Sequence, residues 1–370
     1  MKDVFDPNLL SELVDQSHNP PGGDPVLGAF YASLVEMVVS GEPIADILMR
    51  VKKRRSDITY KHLVNLIYRA FQAIKFRDQD LSYRSLLDIG GWHKELKSLC
   101  SNIETKKYFE KLLRTKSTTT TIYQRYTGPY AIVAHFWDST PVFIADLGCG
   151  GNYGLRGIEV GIPFHSVEDQ TPGKSVSSLL SKRINLQQCL AVDKENPDHP
   201  KVREWRMACS FYPQELNLMD AAFEFESRIR KSTKVKFRKI DLLSSARLPR
   251  ASFNAVILSM ILYQLNLLQQ QILIERAKRL LKQGGIIIVQ DYAAKNLADP
   301  RHLDFNESWF GKNFSFRTFI LGKRTGWIFW EVFHWNNGRC QIVRPGEDFA
   351  RIFKKHQVSS AKAAFAHSTS

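Results

Sequence analysis

The chain has 370 residues, of which 44% are hydrophobic and 24% are charged, and its formal net charge is +15. This length indicates two structural units, and the apolar fraction excludes a disordered or collagen-like chain. The charge is typical of proteins that bind polyanions or anionic small molecules, although solubility alone also accounts for it. No apolar run is long enough to span a bilayer, no basic segment with a following apolar run opens the chain, and the five cysteines form no Cys-x-x-Cys pair. We therefore expect a soluble cytoplasmic protein without a disulfide framework or a metal site.

The first third of the chain has helical periodicity. Residues 1 to about 24 contain a Pro-Pro-Gly-Gly stretch and indicate an irregular lead-in. Apolar residues then recur at three- and four-residue intervals in two stripes, Leu27, Phe30, Leu34 and Val38, and Leu63, Ile67, Phe71 and Ile74. Gly41-Glu42-Pro43 separates the two stripes, and Ser117–Thr121 is the best linker candidate. We predict a helical N-terminal region over residues 1–120.

After Tyr130, short β-rich runs alternate with helical patterns. The runs are 142–145, 189–192, 235–240, 255–258 and 286–289. Such alternation predicts βαβ units and an α/β fold with a mostly parallel sheet. The clearest helix precedes the last run and should end at Gly284-Gly285. Residues 315–321, 327–335 and 341–344 are predicted closing strands, with a hairpin turn at 336–338.

The most informative segment is a buried strand that ends in an acid and runs into closely spaced glycines. Asp146 is followed by Gly148, Gly150 and Gly154, and Tyr153 stands where a dinucleotide-binding motif has its third glycine. Glycines let the backbone turn sharply and approach a ligand closely. An acid beside a pyrophosphate would be repelled. The site therefore fits a ligand with a cationic amino-acid end and no phosphate.

These residues resemble the first motif, D/E-x-G-x-G-x-G, of the Rossmann-like (class I) S-adenosylmethionine-dependent methyltransferases. Three later segments are similar to further motifs of that superfamily in the same order: residues 235–241, 248–259 and 279–289. The resemblance implies a methyltransferase domain over residues 125–358, with an antiparallel closing strand and a flexible tail at 359–370. It implies S-adenosylmethionine as cofactor, and these cofactor-binding residues: Asp146, Gly148, Gly150, Asp193, Asp241, Leu242 and Ser259.

The resemblance also assigns each residue a role. Gly148 and Gly150 would cradle the amino-acid end of the cofactor, and Asp146 would act in the electrostatics of its ammonium group. Asp193 would hold the ribose hydroxyls and Asp241 the adenine amine.

Two acids compete for the ribose position. Glu168 lies at nearly the usual spacing from the glycine motif, and Asp193 lies further along the chain. We prefer Asp193, because an apolar run ending in an acid is typical of a buried parallel strand. Residues 155–188 would then be an insertion, which we expect to form a hairpin over the cofactor. The segment 193–198, with Trp205, Ala208 and Pro213 after it, is loosely similar to a poorly characterised group of bacterial methyltransferase-like proteins.

The sequence also offers candidates for a general base and excludes some classes of methyl acceptor. His165, Glu168, Tyr263 and His334 are candidate catalytic residues, needed only if the acceptor must lose a proton. The run Ser259-Met260-Ile261-Leu262 is not the motif of enzymes that methylate base amines, and there is no Pro-Cys pair for cytosine carbon methylation. We therefore expect a small-molecule acceptor, with the helical region acting as a cap or in substrate selection.

Two alternatives stay open. Seven basic residues between Arg228 and Lys239 favour an RNA methyltransferase, although lysines also protect an edge strand from pairing with other chains. The second alternative is a non-catalytic, methyltransferase-like binding protein. The sequence does not determine the oligomeric state.

Overall fold

The computed structural model describes residues 5–118, 122–213, 215, 224–295, 303–305 and 315–353. Part of the predicted linker and the whole predicted tail at 359–370 lie outside these residues. The chain forms two compact units: Met1–Thr121 with Asp198–Glu224, and Ile122–Pro197 with Phe225–Ser370. The predicted boundary did not include this return of the chain to the first unit after residue 197.

The described residues contain both helices and strands, numbered here in chain order. The helices are α1 Pro7–His18, α2 Pro25–Val39, α3 Pro43–Arg54, α4 Tyr60–Arg77, α5 Ile89–Ser101, α6 Ile103–Thr115, α7 Thr127–Trp137, α8 Tyr153–Glu159, α9 Ser175–Leu180, α10 Pro200–Ser210 and α11 Leu267–Leu280. The strands are β1 Ile144–Leu147, β2 Glu168–Asp169, β3 Cys189–Asp193, β4 Val235–Lys239, β5 Phe253–Ser259, β6 Leu281–Lys295, β7 Leu303–Asp304, β8 Ser315–Gly322, β9 Trp330–Trp335 and β10 Ile342–Pro345. None of the helices in these ranges is long and apolar enough to cross a membrane.

The first unit is helical, and α2 and α4 confirm the two predicted stripes. The expected irregular lead-in is wrong for residues 7–18, which form α1. Asp6 caps that helix by accepting hydrogen bonds from the amides of Asn8 and Leu9, with Pro7 in the first turn, where a proline costs no hydrogen bond. Leu9 and Leu13 are fully buried, so a short apolar stripe suffices to dock α1.

The helix α10 belongs to this helical unit, although it follows β3 in the chain. Trp205 and Ala208 lie in the same apolar cluster as the side chains of α2 and α4. The buried side chain of Gln72 donates to the carbonyls of Ala208 (2.7 Å) and Phe211 (2.9 Å), and buried Arg69 donates to the same two carbonyls. These bonds satisfy carbonyls at the end of α10 that the helix itself leaves unpaired.

The second unit contains a mixed sheet in the order β2-β10-β9-β8-β6-β5-β1-β3-β4, and β7 pairs with β6. The strands β4, β3, β1, β5 and β6 are mutually parallel, and they follow the 3-2-1-4-5 order of doubly wound α/β sheets. The fold is therefore an α/β Rossmann-like fold, as predicted. It closes with an antiparallel set, since β8, β9 and β10 follow β6 as a meander, and these strands confirm the three closing strands predicted from the sequence.

Two local predictions in this unit are wrong. Residues 155–188 form no hairpin; they contain the rest of α8, the short strand β2 and α9, and β2 pairs with β10 at the opposite end of the sheet from β4. The helix α11 ends at Leu280, before the glycine pair. Gly284 has φ +80° inside β6, and a Cβ on Gly285 would lie 2.8 Å from the carbonyl oxygen of Asn254. The glycines therefore allow a bulge and a close approach of β6 to β5.

Candidate functional site

The strand order places several candidate residues at one edge of the sheet. The chain runs from β1 outward to β3 and β4, then returns to β5 on the other side of β1. In open α/β sheets, ligands bind outside the carboxyl ends of the strands at this point of reversal. Asp146 is paired in register with Ala191 of β3 and Ile257 of β5, so Asp193 and Ser259 lie two residues further along the neighbouring strands.

The glycine loop that leaves β1 is bound to the end of β3. The amides of Gly148 and Cys149 donate to the carbonyl of Val192 (2.9 and 3.1 Å), and the amide of Gly150 donates to Oδ2 of Asp193 (2.8 Å). Gly148 has φ +80°, and a Cβ there would lie 2.4 Å from Cδ1 of Ile261. Glycine is therefore required at this position both by the backbone conformation and by the space.

Asp193 is the acid that organises this loop. It also accepts from the amide of Glu195 (3.3 Å), and its own carbonyl accepts from the amide of Ile240 (2.8 Å), which follows β4. Burial raises the pKa of Asp193, and the hydrogen bonds from backbone amides oppose the rise. A carboxylate has about four acceptor positions, so Asp193 can still accept from a ligand's hydroxyls.

Asp146 is completely buried beneath the loop. Its Oδ2 accepts from the hydroxyl of Tyr126 (2.8 Å), and that hydroxyl accepts in turn from Nη2 of buried Arg125 (3.1 Å). Burial raises the pKa of Asp146 to about 6, although the charge of Arg125 and the hydrogen bond from Tyr126 act against the rise. No sequence motif marks Arg125 or Tyr126, so neither residue was predicted.

Three buried side chains at this edge have polar atoms without a hydrogen-bond partner among the described residues. These atoms are Oδ1 of Asp146, both polar atoms of Asn152 and Oγ of Ser259. Asn152 also has the left-handed conformation, with φ +54°. An unpaired buried polar group costs about 1 to 3 kcal/mol, so such groups call for a ligand or ordered waters.

The loop after β5 is held by a buried carboxylate, that of Asp291, which was not predicted from the sequence. Oδ2 of Asp291, in β6, accepts from the amides of Ile261 (2.9 Å), Leu262 (2.7 Å) and Tyr263 (3.4 Å), and Oδ1 accepts from the amide of Tyr292 (2.8 Å). Burial raises the pKa of Asp291 to about 7 against the effect of these bonds. Asp291 lies within β6, where it closely follows the apolar run 286–289, and an acid after an apolar run is the same sequence signal that identified Asp146 and Asp193.

The remaining cofactor candidates follow β4. Asp241 is exposed, and its Oδ1 accepts from the amide of Leu243 (2.9 Å). Leu242 is 7% exposed and packs in the apolar cluster that contains Leu190 and Val192. The hydrogen bond from the amide of Ile240 to the carbonyl of Asp193 brings the start of this loop beside the candidate ribose-binding acid. The cofactor-binding roles of Asp241 and Leu242 stay predictions.

The four candidate catalytic residues are dispersed. Glu168 lies on β2, six places from β1 in the sheet order, so it cannot share a ligand with the glycine loop. His165 is exposed in the loop before β2, where its backbone bonds the side chain of Gln124. His334 lies on β9, and burial lowers its pKa. Tyr263 is the one of the four that follows β5; burial raises its pKa, so its hydroxyl keeps its proton at neutral pH.

The predicted basic segment lies where the sequence placed it. The strand β4 stands at the end of the sheet order, and Lys236, Arg238 and Lys239 are exposed on it. Among the described residues, no group of three or more His, Cys, Asp or Glu side chains could hold a metal ion.

Comparisons with known proteins gave only distant structural similarity. No protein-family model matches the chain, and neither does any curated protein. A solved Haemonchus contortus phosphoethanolamine N-methyltransferase 2, in complex with phosphomonomethylethanolamine and S-adenosylhomocysteine, is 15% identical with a TM-score of 0.28, over 46% of this chain and 29% of that one. Burkholderia thailandensis 1,6-didemethyltoxoflavin-N1-methyltransferase is 16% identical with a TM-score of 0.25, over 50% of this chain and 62% of that one. PKMT2 from Rickettsia typhi, in complex with AdoHcy, is 14% identical with a TM-score of 0.26, over 48% of this chain and 27% of that one.

In each of these comparisons the chain covers less than two thirds of the other protein's length. The fold class therefore rests on the strand order of this chain, which defines a Rossmann-like α/β protein with a candidate ligand site at the point where the strand order reverses.

Proposed function

We propose that the carboxyl edge of β1, β3 and β5 binds S-adenosylmethionine and that the protein is a methyltransferase acting on a small-molecule acceptor. The observation that carries this proposal is the hydrogen bond from the amide of Gly150 to Asp193. It joins the glycine turn to an acid at the end of the next strand, which suits a nucleoside ligand whose ribose hydroxyls need an acceptor. The buried acid Asp146 beneath the turn disfavours a phosphate at the same place.

The described residues fit this ligand. Asp193 would accept from the ribose hydroxyls, and Asp241 would accept from the adenine amine at its second carboxyl oxygen. Gly148 and Gly150 give the backbone of the turn close access to the amino-acid end. The field of Asp146 favours a cationic group there, and Asn152 and Ser259 supply buried polar atoms that still need partners.

S-adenosylmethionine supplies, when bound, a methyl group activated by a positively charged sulfur. The chain's own contribution is positioning and exclusion of water. The amides of residues 261–263 donate to Asp291, so the loop after β5, which includes Tyr263, is held in one defined arrangement next to the strand end at Ser259. Of the four candidate bases, His165, Glu168 and His334 lie away from the glycine loop. Tyr263 follows β5, but its raised pKa makes it unsuited to taking a proton at neutral pH. The proposal therefore favours an acceptor that is already nucleophilic.

Isothermal titration with S-adenosylhomocysteine tests the cofactor. Wild-type protein should bind it, and Asp193→Asn should weaken binding 10- to 100-fold, because a hydrogen bond to a charged group contributes about 1.5 to 3 kcal/mol. Glu168→Gln is the matched control, since Glu168 is the rival acid, and it should bind like wild type. Binding of a phosphate-bearing dinucleotide in place of adenosyl compounds would overturn the proposal.

The basic segment favours one second candidate, an RNA methyltransferase. Residues 227–240 contain seven Lys and Arg and no acid. An RNA enzyme would bind RNA with an affinity that falls steeply with salt, as counterions are released. A small-molecule enzyme would show methyl transfer that is insensitive to RNA and to moderate salt.

A further inference from the structure

A second cavity lies in the sheet unit, away from the carboxyl edge. Its volume is about 650 Å³, within the range of small-molecule sites. Its lining includes the ends of α8 and α9 and the residues that precede β3 and β4, among them Ile158, Leu180, Ile184 and Lys234. In a parallel sheet these segments mark the amino ends of the strands, so the cavity is separate from the proposed cofactor site.

The inner wall of this cavity is apolar and firmly held. Phe164 stacks on Tyr123 with ring centroids 4.3 Å apart, and it meets the edge of Tyr130 at 5.2 Å. The hydroxyl of Tyr123 donates to the carbonyl of Ile162 (2.9 Å), and the hydroxyl of Tyr130 donates to the carbonyl of Lys182. Both tyrosine hydroxyls are bonded to the backbone, so half-buried Phe164 presents an apolar surface to the cavity.

The mouth of the cavity is cationic. Arg183 and Lys234 are exposed in its lining and form no ion pair with any described residue, whereas Lys182 pairs with Asp138 (3.0 Å). The ammonium group of Lys234 donates one hydrogen bond to the carbonyl of Leu186 (2.7 Å), which leaves two of its three donors for a ligand. Glu159 is the acid in the lining, and the amides of Thr233 (2.8 Å) and Lys234 (3.0 Å) donate to its carboxylate. Burial opposes these bonds but does not cancel them, and the pKa of Glu159 is lowered; its carboxylate therefore stays ionised and offsets one of the two charges of Arg183 and Lys234.

The surroundings add to this positive charge. The basic residues Arg228, Arg230 and Lys231 precede Lys234 in the chain, and all three are exposed. A concentration of one sign of charge at a cleft raises the local concentration of the opposite ion.

We propose that this cavity binds a small anion with a flat apolar body, such as an aromatic carboxylate or sulfonate, at a site separate from the cofactor. The ring lies on the Phe164 wall and the anionic group meets Arg183 and Lys234. The proposal goes beyond the methyltransferase function and does not depend on it.

Titration with 2-naphthoate, followed by saturation-transfer NMR and calorimetry, tests this site. Naphthoate should bind at least tenfold more tightly than the matched neutral compound 2-naphthalenemethanol. The double variant Arg183→Glu/Lys234→Glu should weaken naphthoate binding at least tenfold. Lys107→Glu/Lys111→Glu on α6 is the matched control and should change it less than twofold. Saturating S-adenosylhomocysteine should leave naphthoate binding unchanged.

A cavity-filling variant separates loss of the site from loss of the fold. Ser181 is exposed in the lining, so Ser181→Trp should fold normally and still weaken naphthoate binding. Equal binding of the neutral compound, unchanged binding in both variants, or competition by S-adenosylhomocysteine would overturn the proposal. A further result would also overturn the proposal: no naphthoate binding together with tight RNA binding that Lys236→Glu/Arg238→Glu abolishes. The basic residues would then bind a polyanion and not a small anion.

Discussion

Asp291 makes the stability of the sheet unit depend on pH. Burial raises its pKa from 3.8 to about 7, so the folded state holds the proton more tightly than the unfolded state does. Its stabilising contribution is fully present below pH 3.8 and is lost as the pH rises through 7. At 1.36 kcal/mol per pKa unit, the whole effect is about 4 kcal/mol, of which about 3 kcal/mol falls between pH 5 and pH 8.

The variant Asp291→Asn should remove this pH dependence. Its amide oxygen can still accept from Ile261 and Leu262, while its amide nitrogen would face the amide of Tyr292 and lose that bond. The lost bond costs about 1 kcal/mol at every pH, so it shifts the curve without changing its slope. Wild type has already lost at least about 1 kcal/mol of this contribution at pH 5, so the variant should be at least as stable as wild type at pH 5 and more stable by about 3 kcal/mol at pH 8.

Urea unfolding at four values between pH 5 and pH 8 measures the difference. The free energy of unfolding of wild type minus that of the variant should fall by about 3 kcal/mol over this range. Near-UV circular dichroism of the variant checks that its tertiary packing is intact. A difference that is constant with pH would refute the reasoning, because Asp291 would then titrate equally in both states.

Three further changes test single contacts. Gly148→Ala should lower the free energy of unfolding, measured in urea, by about 2 to 4 kcal/mol, because a left-handed backbone is strained and the new Cβ clashes with Ile261. Adding Ile261→Val should recover only the part that comes from the clash. Tyr126→Phe should cost about 1 to 3 kcal/mol and move the pKa of Asp146 above 6 in a carboxyl NMR titration, and an unmoved pKa would contradict the assigned hydrogen bond. Asn266→Ala removes the capping box of α11 and should cost about 1 kcal/mol, with no change in S-adenosylhomocysteine binding.

The central strands could be predicted because buried parallel strands are continuous apolar runs. β1, β3, β5 and β6 each gave this signal, and an acid at or near the strand's end located Asp146 and Asp193. Asp291 carries the same signal, yet its role appears only once the fold brings the amides of residues 261–263 to its carboxylate. Local pattern thus finds the strand end, and tertiary structure decides what the acid does there.

The contacts that the sequence did not reveal join residues far apart in the chain. Gln72 bonds carbonyls at the end of α10 more than 130 residues away, and no periodicity within α4 or α10 encodes that pairing. The Tyr126–Asp146 bond is likewise absent from the sequence pattern, because the glycine motif marks Asp146 but nothing marks Tyr126 as its partner. Residues 155–188 were misread because α8 is short and β2 has two residues, too few for a pattern.

The division of the helical unit between two stretches of chain affects how it is made. Its core includes Trp205 and Ala208, which the ribosome adds some 90 residues after the end of α6. At 5 to 20 residues per second, the first six helices wait roughly 5 to 20 s for their last partner to be synthesised. During that interval β1 and β3 of the other unit are translated. Because each unit consists of two separate stretches of chain, neither could be cut out or exchanged at a single boundary.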